Sequence, residues 1–274
     1  MNRDFRRTLG LELAGGKSSR SAVAVLDHFP KSRRLILSEL IHSKLAPEGD
    51  ATADDLLVSS LRDLHKQAKT FAGLAVHGPL SLPPGLKDPA RAASDPEVRW
   101  MTKLWESLDP KPRPFASYLQ RPAEVWLRHK TSEKFLVTDA LGSNAAPLAA
   151  RLHFHMRHLP KPLFEVLPRA SFIRIVKSLG LPKNLAVRYT DLDKGLSARE
   201  EFFSELLKRV PQLFIYDGDL ESLVLHVNHF HAFISALTGH LAALGLTEAP
   251  PRGYPKSAGW IHVPRSDTDW QTVL

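Results

Sequence analysis

Residues 8–42, TLGLELAGGKSSRSAVAVLDHFPKSRRLILSELIH, decide the fold class. Thr8–Ala14 (TLGLELA) and Ser21–Asp27 (SAVAVLD) are short, apolar and rich in Val and Leu, so both read as strands. The link between them, Gly15–Gly16–Lys17–Ser18–Ser19–Arg20, is a loop by composition. After a turn at His28–Phe29–Pro30–Lys31, the stretch 33–42 (RRLILSELIH) reads as a third strand. A parallel crossover takes about a dozen residues or more, and these links are shorter. The three strands are therefore expected to be antiparallel.

Beyond them the period changes. Leu56, Leu57, Ser60, Leu61 and Leu64 mark an amphipathic helix over 53–69, with Asp54 and Asp55 in its first turn. Phe71–Val76 returns to strand and stops at His77–Gly78–Pro79. A strand–helix–strand passage of this length implies a parallel neighbour. The opening thus reads β-β-β-α-β, a mixed sheet with helices to follow. Residues 83–131 carry prolines at 83, 84, 89, 96, 110, 112, 114 and 122 and read as an irregular insertion with short helical pieces. A helix near 144–158, a strand at Pro162–Val166, helices at 169–179, 197–209 and 220–244, and a short strand at Gly259–Val263 complete the chain. The expectation is one α/β domain over 1–274, its sheet flanked by helices, with a proline-rich insertion at about 83–131 and a helical C-terminal layer.

Four positions invite chemistry. Glu12 sits between Leu11 and Leu13 inside the first strand, where a carboxylate is costly unless paired or bound to a cation. Glu165 poses the same question inside Leu163–Val166; for either, a buried ion pair to an arginine is the structural alternative. His77 ends a strand at the carboxyl edge, where open α/β sheets place their ligands. On the last long helix Asn228, His231 and Ser235 share a polar face, one that either closes over the sheet edge or stands in solvent. His153, His155, His158, His226 and His229 lack a ligand pattern and read as surface residues. The Gly15–Ser19 loop after a strand carboxylate also admits an actin-like or sugar-kinase ATPase reading, although the Walker spacing is absent.

Composition removes several classes. With no cysteine, the chain has no disulfide framework, thiolate metal site or cysteine nucleophile. MNRDFRRT at 1–8 has no apolar run, and no stretch approaches the roughly 18 apolar residues of a membrane span, so a cytoplasmic, non-membrane protein is expected. Thirty-seven Lys plus Arg against 29 Asp plus Glu leave a charge of +8. That excess favours polyanions, nucleic acid above all, but the bases are scattered rather than run together.

Several segments in order carry a resemblance. Thr8–Ala14 is similar to an "LGIDLA" strand, Gly73–Leu82 to "AIDAPLSLP", Phe115–Leu127 to "YTQR…YL" and Leu141–Arg151 to "LGANAAPLAAR". Phe164–Pro168 is similar to "EVYP", Phe214–Leu237 to "IYD…HAFDAFLCALT" and Gly259–Pro264 to "GWI..P". Together they resemble the domain of unknown function 429 family, predicted ribonuclease H-like nucleases. The resemblance implies a ribonuclease H-like mixed five-stranded sheet, order 3-2-1-4-5, with acids gathered at one pole to hold divalent metal.

Carried over residue by residue, the resemblance assigns the metal-holding and catalytic roles to Glu12, His77, Glu165 and His231. His77 stands where the family has the Asp of "IDAP", and His231 where it has the Asp of "HAFDAF". The matched segments place Lys17, Arg121 and Arg169 near that pole as candidate nucleic-acid phosphate contacts, with a solvated surface base as the plain alternative. The two histidines matter because Mg²⁺ takes oxygen ligands, and paired-Mg²⁺ hydrolysis relies on carboxylates. Two readings follow. In one, the four residues form a mixed site suited to Zn²⁺, Mn²⁺ or Fe²⁺, and less to Mg²⁺, and the protein is a metal-dependent phosphodiester hydrolase. In the other, His–Glu pairs neutralise the pole, no metal is held, and the protein binds nucleic acid or nucleotide without turnover.

Overall fold

The computed structural model describes residues 5–13, 21–42, 52–131, 133, 135, 137–142, 145–271 and 273, apart from the side chains of His42, Arg91 and Ala92. The glycine-rich stretch 15–20, including Lys17, lies outside the described residues. The chain divides into two compact units, one of 1–77, 158–248 and 262–274, the other of 78–157 and 249–261.

The first unit opens with β1 (Arg6–Glu12), β2 (Ala22–Phe29) and β3 (Arg34–His42), followed by α1 (Ala53–Gln67) and β4 (Thr70–His77). β1 pairs antiparallel with β2, which pairs antiparallel with β3, while β4 lies parallel to β1 on its other side. β1 and β2 are buried on both faces, which explains their near-continuous apolar reading. α1 starts at a capping box: Asp55 N–H donates to Thr52 Oγ1 at 3.1 Å, and Thr52 N–H donates back to the Asp55 carboxylate at 2.9 Å.

The second unit contains α2 (Pro84–Lys87), a 3-10 turn (Pro89–Ser94), α3 (Pro96–Glu106), α4 (Pro122–His129) and α5 (Ala145–His155). This stretch is more helical than its prolines suggest. Pro84, Pro96 and Pro122 each occupy the first helical turn, where no N–H is required and the fixed φ already suits a helix. Met101, Leu104 and Val125 form a small core, with Trp100, Phe115 and Trp126 packed against it.

Returning to the first unit, β5 (Leu163–Val166) pairs parallel with β4 and leads into α6 (Pro168–Ser178), α7 (Lys183–Arg188) and α8 (Gly195–Arg209). Then follow β6 (Leu213–Phe214), α9 (Asp217–Leu225) and α10 (Val227–Ala243), and last β7 (Ile261–His262), of which His262 is counted in the first unit and Ile261 in the second. The strand order is β6-β3-β2-β1-β4-β5-β7. The mixed sheet is thus wider than the five strands expected, because two-residue strands extend both edges.

The helix expected over 220–244 is two helices. His226 is extended (φ −116°, ψ 114°), so α9 can stay beside α8 while α10 turns across the sheet. Thr8, Gly10 and Glu12 of β1 share a face with Gly73, Ala75 and His77 of β4. α10 lies directly on that face. A Cβ built at Gly10 would stand 2.1 Å from the carbonyl oxygen of Ala232, and one at Gly239 would stand 2.7 Å from the Cβ of Ala75. The main core lies here, with Ala24, Leu26 and Leu37 of the sheet against Phe172, Phe202, Phe230 and Phe233. On the opposite face Arg7 makes two 2.8 Å bonds to Asp27 and donates to the Leu64 carbonyl, tying α1 down.

Candidate metal centre

Glu12 is the last residue of β1 and His77 the last of β4, and the parallel register sets them side by side at the carboxyl edge. Both project toward α10, whose fifth residue is His231. His77 Nδ1 lies 2.7 Å from Glu12 Oε2, and His231 Nδ1 lies 3.4 Å from Glu12 Oε1. One donor atom from each of the three residues lies within 4.8 Å of the others, making a candidate metal-binding triad. The site is largely enclosed, with side-chain exposures of 9% for Glu12, 24% for His77 and 15% for His231.

Burial raises the pKa of Glu12, but the charges of His77 and His231 and their hydrogen bonds outweigh it and hold the group at about 2. Burial works against a charged His77. The charge and hydrogen bond of Glu12, followed by the charge of Glu165, overcome that and raise its pKa above the ordinary imidazole value. The centre is a carboxylate clasped between two imidazoles.

A fourth residue, which periodicity and resemblance both missed, completes the arrangement. Tyr189, just beyond α7, sets its hydroxyl 3.1 Å from His231 Nε2. Burial dominates its acidity, opposed by Arg169 and Arg199 and assisted by Glu12, so the phenol pKa is raised and the proton stays on oxygen. No local pattern in 181–190 marks this residue; only the folded contact does.

The remaining expected residues fall at different places. Glu165 is buried in β5, in register with Val76, and so belongs to the sheet face opposite that of Glu12 and His77. Its charge still reaches His77 and His262 and favours protonation of both. It stands beside the triad rather than within it. Arg169, in the first turn of α6, is partly buried and close enough to Tyr189 to act on its hydroxyl. Arg121 is 1% exposed and ion-paired with Glu124, and its Nη1 donates to Ser81 Oγ at 3.1 Å. The guanidinium is thus an interior group of the second unit, not a surface base. His229, expected at the surface, is buried, with Nδ1 2.9 Å from Ser222 Oγ. Ser235, from the same polar face as His231, is fully buried, so that face closes on the sheet instead of standing in solvent.

The donor set can be tested against ions. A first-row ion with bonds of about 2.1 Å draws neighbouring ligand atoms to roughly 3.4 Å apart. His231 Nδ1 already stands at that distance from Glu12 Oε1, while His77 Nδ1, bonded to Oε2 at 2.7 Å, would move out by about 0.7 Å to admit an ion. Two imidazoles and one carboxylate suit Zn²⁺, Mn²⁺ or Fe²⁺, whereas Mg²⁺ demands oxygen. The residues fit a transition ion. Among the described residues, no helix is long and apolar enough to cross a membrane. No family model, curated protein or solved structure matches the chain.

Proposed function

We propose that this protein is a metal-dependent phosphodiester hydrolase of ribonuclease H-like architecture, with one first-row transition ion held by Glu12, His77 and His231. The observation that carries the reading is the meeting of these three side chains, remote in sequence, at the carboxyl edge of adjacent parallel strands. The ordered resemblance of seven segments to predicted ribonuclease H-like nucleases supports it, as does the net charge of +8.

When bound, the ion supplies Lewis acidity toward a phosphoryl oxygen and acidifies water. The chain's own groups do the rest. Glu12, ionised across the working range, contributes the one full negative charge among the three ligands. With two neutral imidazoles the loaded centre carries a net +1, complementary to the single negative charge of a phosphodiester. Arg169, near the Tyr189 hydroxyl, is the cation best placed to receive a second phosphate of a polynucleotide. Glu165 adds negative potential behind His77.

A second reading has its own observation. Both imidazoles already bond to Glu12, so the carboxylate is compensated without an ion. On that reading the protein binds nucleic acid or nucleotide and does not turn it over. The deciding experiment measures metal content of protein purified without chelator and titrates Zn²⁺, Mn²⁺ and Mg²⁺. Cleavage of single- and double-stranded RNA and DNA is assayed in parallel. One ion per chain, with cleavage abolished by Glu12→Ala, is the expected result. No bound ion and no cleavage with any of the three metals overturns the hydrolase reading and leaves binding alone, to be followed by anisotropy against salt.

A further inference from the structure

We propose that Tyr189 is a positioning residue of this centre, whose hydroxyl donates to Nε2 of metal-free His231 and exchanges donor for acceptor when Nδ1 takes a metal. The metal arm of this inference rests on the reading above; the tautomer arm does not.

The argument begins with what each atom can do. An ionised carboxylate only accepts, so a neutral His231 that bonds Glu12 must carry its proton on Nδ1. Nε2 is then a bare acceptor, and the Tyr189 hydroxyl, 3.1 Å away, donates to it. With Nε2 occupied by the phenol, Nδ1 is the only nitrogen of His231 directed at Glu12 and His77, so a metal in the triad must meet Nδ1. A nitrogen that ligates cannot keep its hydrogen. The ring remains neutral if the proton leaves Nδ1 and Nε2 gains one, and the new Nε2–H then donates to the oxygen of Tyr189. A hydroxyl serves both states because it rotates, donating in one and accepting in the other. A carbonyl or an ammonium in its place would serve one state only.

The chain holds this hydroxyl with unusual thoroughness. Tyr189 is 1% exposed, and its ring packs at centroid distances of 4.8 Å on Phe172 and 5.3 Å on Phe230. Its carbonyl accepts from the guanidinium of buried Arg199, whose Nε donates to the Val224 carbonyl at 2.6 Å. A Cβ at Gly195 would crowd the same Tyr189 carbonyl at 2.9 Å. Backbone and ring are thus held from independent directions, while the O–H bond can still rotate. Groups that hydrogen-bond a ligating histidine commonly alter metal affinity by about 10–100-fold when removed.

The test uses the full chain with ¹⁵N-labelled histidine. Long-range ¹H–¹⁵N spectra of the metal-free protein should show His231 protonated on Nδ1. Adding Zn²⁺ should move that proton to Nε2. In Tyr189→Phe, which keeps the ring and its packing, Glu12 should still hold the metal-free proton on Nδ1, but the Nε2–H formed on Zn²⁺ binding loses its acceptor. Zn²⁺ affinity should fall roughly 10–100-fold while far-UV circular dichroism is unchanged. A metal-free wild type carrying its proton on Nε2 overturns the proposal. So does a Tyr189→Phe protein with the wild-type Zn²⁺ affinity. Should Tyr189→Phe fail to fold, the wild-type tautomer alone still decides. Should the wild type bind no Zn²⁺, the hydrolase reading falls, while the metal-free wild-type tautomer still tests whether the Tyr189 hydroxyl donates to Nε2.

Discussion

The close approach of β1 and α10 supplies a sharp test of the architecture of the first unit. At Gly10, a methyl group would stand 2.1 Å from the Ala232 carbonyl oxygen, 2.3 Å from the Ala236 nitrogen and 2.8 Å from its Cα. All three are backbone atoms of α10, so no side chain can swing aside. Restoring the 3.4 Å of ordinary contact from 2.1 Å requires α10 to lift by about 1.3 Å along that direction. His231 precedes Ala232, and its Nδ1 already stands 3.4 Å from Glu12. The same lift would carry it to as far as about 4.7 Å, past hydrogen-bond reach. Gly10→Ala is therefore expected to cost roughly 1–3 kcal/mol, toward the upper end because the obstacle is backbone. It should also release His231 from Glu12 and abolish Zn²⁺ binding at the triad. Urea denaturation reads the first effect, and the histidine ¹⁵N spectrum with Zn²⁺ titration reads the second. Gly218→Ala, in α9 with nothing within 4 Å of its added Cβ, is the control and should be neutral or stabilising by under about 1 kcal/mol. A Gly10→Ala protein as stable as its parent, with His231 unchanged, would refute the seating of α10 on β1.

Three more outcomes are expected. Burial, then the charges of His28 and Arg6, hold the pKa of His240 at about 3 against an ordinary 6.5, opposed by a backbone hydrogen bond with Val273. The depressed pKa gives a contribution that is present above pH 6.5 and lost as pH falls toward 3, up to roughly 4–5 kcal/mol. His240→Phe should flatten that limb in urea melts run across pH. Glu12, held at about 2 against an ordinary 4.5, contributes stability above pH 4.5 that is lost as pH falls toward 2, on the order of 3 kcal/mol. Glu12→Gln should remove that lower limb and bring the raised pKa of His77 down, measured by NMR titration of its ring. Arg121→Met should cost about 3–5 kcal/mol by stranding the buried Glu124 carboxylate. Adding Glu124→Leu should recover much of that loss; unaltered stability in the single variant would instead favour a phosphate-binding role for Arg121.

Each part of the centre was legible to the degree that its cause was local. Glu12 announced itself because a charge inside an apolar strand needs a partner, and the partners are now visible as two imidazoles. His77 was marked by a strand that ends at a glycine and a proline. Glu165 looked equivalent to Glu12, as a carboxylate in a parallel strand, but the period of two decides otherwise. Its register partner is Val76, not His77, which turns it to the other face. That parity depends on how β4 and β5 align, which neither strand states by itself. The two-residue strands β6 and β7 are too short for any period to show. The division of the last long helix at His226 follows from what α9 and α10 must each pack against, so an unbroken apolar stripe concealed it. Gly10 and Tyr189 are the extreme cases. A glycine in a strand and a tyrosine after a short helix acquire meaning only once α10 lies across the sheet, because α10 supplies both the backbone that Gly10 must clear and the imidazole that Tyr189 must meet. One helix placement thus determines the spacing of sheet and helix and the geometry of the centre. A single methyl at Gly10 is for that reason expected to disturb both together, whereas removing the Tyr189 hydroxyl should disturb the centre alone.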